Sequence, residues 1–89
     1  MEIADLRNNI EALLFVSGEG LSESEVARGL GQEPGIIKTV LESLVDDYVE
    51  RYGGILIRNI RGKYQFVTRA SVHEPLKLFI QEKCILLFR

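Results

Sequence analysis

Few residues in this chain could do chemistry. His73 is the only histidine and Cys84 the only cysteine. One imidazole cannot build a histidine metal cluster, and one thiol makes neither an internal disulfide nor a thiolate zinc site. His73 has no assignable acid–base partner and reads as a surface residue near a helix start. Cys84 lies among apolar residues without a neighbouring histidine, the setting of a buried, inert thiol. Gly18 and Gly20 form a G-x-G after a helical stretch, whereas a dinucleotide loop must follow a strand; the pair reads as a turn. These residues support no catalytic constellation, cofactor site or metal site.

What remains is charge. Arg58, Arg61, Lys63 and Arg69 place four cations, and no acid, between Ile55 and Ala70. Such a row can touch phosphates without reading bases. The plainer reading is a solvated sheet face whose cations discourage strand aggregation. Upstream, Glu42, Asp46, Asp47 and Glu50 oppose Lys38 and Arg51 on one stretch.

The elements that position these groups follow from hydrophobic spacing. Ile3, Leu6, Ile10, Leu13 and Leu14 form one helical stripe; Phe15 and Val16 extend the apolar end of the helix, and Gly18 caps it. Ser22-Glu23-Ser24-Glu25 fits a capping box, in which the Ser oxygen and the Glu carboxylate satisfy each other's orphan N–H groups. It opens a short helix with Val26, Ala27 and Leu30 inward, ended by Gly29 and Gly31. Pro34 suits the first turn of a third helix. Its wide apolar stripe runs through Ile36, Ile37, Val40, Leu41, Leu44, Val45, Tyr48, Val49 and Tyr52, and Gly53-Gly54 stops it. The period then changes. Ile55–Ile60 and Lys63–Arg69 read as strands joined at Arg61-Gly62, a β-hairpin. A last helix starts at Val72 or Pro75 and runs to Lys83.

The chain has 89 residues, 46% of them hydrophobic and 27% charged, with a formal net charge of −2. This fits one small globular domain and excludes a disordered chain. A domain of this size buries only roughly 60–65% of its unfolded surface, so a partner can add much to its stability. The pI of 5.4 argues against a generic nucleic-acid binder. No secretory pattern precedes Asn9 and no apolar run reaches the roughly 18–20 residues of a membrane helix, so a cytoplasmic protein with no membrane partner is expected.

Three helices followed by a hairpin is the order of a winged helix, an α+β fold. In a DNA reader of this kind the third helix enters the major groove and the hairpin is the wing. Here the third helix presents mainly acids, which a phosphate backbone repels, and no Asn, Gln or Arg stands early in it to read base edges. The arrangement favours protein partners, with DNA at most a weak, non-specific contact.

The run Ile10-Glu11-Ala12-Leu13-Leu14-Phe15-Val16-Ser17-Gly18-Glu19, followed by Gly20-Leu21-Ser22, resembles the opening helix and loop of segregation and condensation protein B, the ScpB family. Tyr48 to Ile57, and Gly62 to Arg69, resemble its helix end and two strands. The resemblance spans about Leu6 to Arg69. It implies a non-enzymatic, dimerising accessory subunit that binds the kleisin ScpA and, through it, an SMC ATPase in chromosome condensation and segregation. Residues 1–89 are then one winged-helix domain, with 72–89 as terminal helix and apolar tail, and the family's second winged-helix domain is absent. Much of the kleisin contact is expected on that second domain. The resemblance also implies a location at the nucleoid. Gly20 replaces the family's usual Pro, which should loosen the loop without changing the fold. The runner-up is a small winged-helix transcription regulator with its basic wing on DNA.

The apolar end is the remaining oddity. Leu76, Phe79, Ile80, Ile85, Leu86, Leu87 and Phe88 exceed what one short terminal helix can hide. They either cover the domain's own core or pack against another surface. Leu76, Phe79, Ile80, Ile85, Leu87 and Phe88, with part of the first helix, are expected to contribute to a symmetric dimer.

Overall fold

The computed structural model describes residues 2–83, with side chains as far as Ile80. Eight elements follow in order: α1 Ile3–Ser17, β1 Leu21–Ser22, α2 Glu23–Leu30, α3 Pro34–Arg51, β2 Ile55–Ile60, β3 Lys63–Thr68, a 3-10 turn Ala70–Val72, and α4 His73–Lys83. This is the winged-helix order expected from the hydrophobic pattern, with one addition. The two residues of β1 pair antiparallel with β3, Leu21 opposite Tyr64 and Ser22 opposite Lys63, so the sheet has three strands in the order β1-β3-β2. A two-residue strand is too short to show a period of two, which is why Leu21-Ser22 looks like a helix entry alone.

The core lies between the three helices and the inner face of the sheet. Leu6, Ile10 and Leu14 of α1, Val26 and Ala27 of α2, and Ile37, Val40, Leu41, Leu44 and Tyr48 of α3 meet Ile57 and Tyr64. A fully buried aliphatic side chain here contributes about 1.5–3 kcal/mol. The apolar stripes are wider than the core they serve. Ile3, at the free end of α1, and Ile36, Val49 and Tyr52, at the margins of α3, remain exposed.

Local chemistry sets the boundaries. Ser22 Oγ accepts from the Glu25 N–H at 3.1 Å, and the Glu25 carboxylate accepts from the Ser22 N–H at 2.8 Å, closing the capping box. In the wing, Arg61 and Gly62 both take positive φ, 54° and 87°, and Asn59 Oδ1 accepts from the Gly62 N–H at 2.9 Å. Two successive left-handed residues match the right-handed twist of the flanking strands.

Two glycine readings change. The residue that reverses the chain after α3 is Tyr52, with φ 53° and ψ 43°, and neither Gly53 nor Gly54 has positive φ. At Gly20, φ is +91°, which a proline fixed near −65° cannot adopt. A Cβ there would lie 2.8 Å from the Tyr64 carbonyl oxygen and 2.9 Å from Gln65 Cβ. Glycine at this position therefore allows β1 to approach β3 closely; it does more than loosen the loop.

A candidate partner-binding face

Glu11, Ala12 and Phe15 lie on one side of α1 because they are three and four residues apart. With Tyr48, Ile55 and Phe66 they line a shallow cleft. The Phe66 ring meets Phe15 edge-on at 6.3 Å and Tyr48 edge-on at 5.4 Å. Phe15 nevertheless keeps 74% of its surface exposed, since only one side of its ring is covered. A second cleft, lined by Gly54, Ile55, Thr68, Val72, Pro75 and Leu76, shares Ile55 with the first. Together they form an apolar trough from the end of α1, across the start of β2, to the start of α4.

The rim of the trough is polar. The Tyr48 hydroxyl donates to the Glu11 carboxylate, and the Arg51 guanidinium lies 4.6 Å above the Tyr48 ring. Burial first, and then Glu11, push the Tyr48 phenol above its ordinary value. Further along the α1–α3 seam, Arg7 pairs with Asp47 and donates to Ser43 Oγ at 3.4 Å. Asp47 thus belongs to this seam. The solvated acids of α3 are Glu42, Asp46 and Glu50.

The residues expected at an interface are only partly brought together. Leu76 is half-buried and lines the trough. Ile80 is half-buried, and Phe79 is 45% exposed. Leu78, which the spacing did not single out, is 65% exposed. Ile85, Leu87 and Phe88, together with Cys84 and Leu86, lie outside the described residues. Ala12, Phe15 and Ile55 escaped prediction individually. The available signal was that Phe15 falls off the Leu6-Ile10-Leu14 stripe, which an apolar residue on a solvated face should not do.

The four hairpin cations divide. Arg58, Arg61 and Lys63 are exposed. Arg69 is engaged inside the fold. Its Nε donates to the Gly53 carbonyl at 2.7 Å, a terminal nitrogen donates to the Tyr48 carbonyl at 3.3 Å, and the guanidinium lies 4.5 Å over the Tyr52 ring. Arg69 thus satisfies the C-terminal end of α3 and is removed from the row available to phosphate. His73 is exposed, and its Nε2 lies 3.3 Å from the Thr68 carbonyl. Among the described residues no group of three His, Cys, Asp or Glu could hold a metal ion, and no helix is long and apolar enough to cross a membrane.

Comparison with known proteins places this arrangement. The family model for the segregation and condensation complex subunit ScpB matches residues 8–85, reaching past the hairpin into the terminal segment. Segregation and condensation protein B of Moorella thermoacetica is 37% identical over 65 residues, covering 73% of this chain and 33% of that protein. The Lachnoclostridium phytofermentans protein of the same name is 30% identical over 76 residues, covering 85% and 40%. The chain therefore spans about two-fifths or less of the length of these curated relatives. A crystal structure of a dimer of the ScpB N-terminal domain complexed with an ScpA peptide superposes with a TM-score of 0.81 at 31% identity, covering 86% of this chain and 96% of that one. ScpB from Mycobacterium tuberculosis shares the fold, with a TM-score of 0.88 at 19% identity over 100% of this chain and 56% of that one. With the match running over nearly the whole chain and the winged-helix fold in agreement, this chain belongs to the ScpB family of segregation and condensation complex subunits.

Proposed function

We propose that this chain is a non-enzymatic, dimerising accessory subunit of an SMC–kleisin complex, working on chromosome condensation and segregation at the nucleoid in the cytoplasm. The observation that carries the reading is its 31% identity, over 86% of its length, to an ScpB N-terminal domain that forms a dimer and holds an ScpA peptide. That relative is an N-terminal domain alone, so direct ScpA binding need not wait for a second winged-helix domain. The bare trough supports the reading, because Phe15, Ile55 and Leu76 place apolar surface where a partner would cover it. Phe79 and Ile80 continue this face along α4 in the proposed dimer, with Ile85, Leu87 and Phe88 following in sequence. The transcription-regulator reading is not favoured, since Glu42, Asp46 and Glu50 of α3 would meet the phosphates.

Light scattering at about 100 μM, where an interface of micromolar affinity is saturated, should return twice the mass of one chain. Phe15→Asp and Leu76→Asp should return the single-chain mass with an unchanged circular dichroism spectrum. Immobilised chain should retain ScpA encoded by the same genome. A single-chain mass together with no retained ScpA would overturn the proposal.

A further inference from the structure

The three exposed cations of the wing have no task in this reading. Arg58 lies opposite Gln65 and Ile60 opposite Lys63 in the β2–β3 ladder. Ile57 and Tyr64 define the buried face, so alternation places Arg58, Ile60 and Lys63 together on the outer face. Arg58 and Lys63 are then diagonal neighbours about 7–8 Å apart. Arg61 stands next to them in the turn. The turn is held by two left-handed residues and by the Asn59 side chain, so the three charges sit on a stiff support. Among the described residues none of the three forms an ion pair. The acid nearest in effect is Glu25, which feels Lys63 and Arg28 together. Its carboxylate is already engaged with the Ser22 N–H. Arg28 is exposed on α2, three residues along the helix from Glu25.

The charge of the molecule is thus separated, although its sum is only −2. Glu42, Asp46 and Glu50 mark the solvent face of α3, while Arg58, Arg61 and Lys63 mark the wing. An acidic peptide or a membrane surface would need an apolar anchor beside the charges. The trough lies on the opposite side of the sheet, at the far end of β2; on the outer face Ile60 is the one exposed aliphatic side chain, with Leu56 and Val67 half-buried. A stiff, regularly charged polymer needs no anchor. Duplex DNA carries about one negative charge per 1.7 Å of axis.

We propose that the wing of this chain, through Arg58, Arg61 and Lys63, is a sequence-independent contact for the phosphate backbone of duplex DNA. It holds DNA beside the complex without reading it. The contact calls on no base-reading side chain: Asn59 is occupied in the turn, Gln65 opposite Arg58 is half-buried in the ladder, and the acidic α3 is kept out of the groove.

The test is fluorescence anisotropy of the whole chain with a labelled duplex of mixed sequence, titrated at several salt concentrations. Three phosphate contacts predict a slope of log K against log salt of about −2.7, a loss of about 40-fold between 50 and 200 mM salt. Arg58→Gln with Arg61→Gln should flatten the slope by about two and weaken binding at least tenfold at low salt. Lys38→Gln on α3 should change neither. A scrambled duplex should bind equally well. No binding at 50 mM salt would overturn the proposal, and so would an equal loss from Lys38→Gln. Polyglutamate or phosphatidylglycerol vesicles binding as tightly as the duplex would overturn it as well, by assigning the wing to another partner. Dimerisation and ScpA retention are separate readouts, so failure here leaves the proposed function standing.

Discussion

Arg69 shows how one side chain can exchange a predicted role for another. Its type and place in a basic row suggest phosphate contact. Its geometry closes the end of α3, because the reversal falls on Tyr52 and leaves carbonyls that need donors. The planar guanidinium both donates to them and stacks on the Tyr52 ring, which an ammonium cannot do in the same way. Arg69→Ala should lower stability by about 1–2 kcal/mol, read as a lower urea midpoint at unchanged slope. Arg69→Lys should recover less than half of that loss. A midpoint equal to that of the parent chain in both variants would remove Arg69 from the cap.

At the scale of elements, the capping box joins sequence to stability most directly. Ser22 is at once the cap of α2 and a residue of β1, so the helix start and the sheet edge share one backbone position. Ser22→Ala should cost about 1 kcal/mol. The hydrogen bond from the Ser22 backbone N–H is the main reason that the Glu25 carboxyl is held below the usual carboxylate range; slight burial opposes it, and Ser22 Oγ, Lys63 and Arg28 assist. A carboxyl whose value falls on folding stabilises the protein above its unfolded value and loses that contribution as pH falls through the folded one. The difference in urea midpoint between the parent chain and Glu25→Ala should therefore be constant near neutral pH and shrink in the acid range, below the ordinary glutamate value. A difference that stays constant down through that range would show that the carboxylate charge plays no part in the cap.

At the scale of the whole molecule, the exposed trough links stability to association. A chain of this size has a small core, and covering Phe15, Ile55 and Leu76 would add to it. If the dimer forms, its melting temperature must depend on concentration. Tenfold more protein should raise it by about 3–5 °C, and Phe15→Asp should abolish the dependence. A melting temperature independent of concentration in the parent chain would exclude coupling between folding and association.

Much of the fold was legible beforehand for local reasons. The stripe of α1, the capping box of α2, the long face of α3 and the Arg61-Gly62 turn each rest on spacing within a few residues. The winged-helix order follows from their succession. The site was less legible. Leu76 could be named because apolar residues crowd the terminal segment, but Ala12, Phe15 and Ile55 come from two separate elements, and no spacing along the chain relates them. Asp47 looked like a solvated acid until α1 brought Arg7 to it.

The sequence by itself determined the elements, their order, the family likeness and the separation of acids from bases, because periodicity, capping and charge are written in neighbouring residues. The tertiary structure alone decided three things. It added β1 as a third strand, since a two-residue strand exists only by pairing with β3. It turned Arg69 inward to the end of α3 and left Arg58, Arg61 and Lys63 outside. It joined the end of α1 to the start of α4 across Ile55. Each depends on contacts between residues far apart in the chain, and such contacts exist only once the core has set the elements against one another.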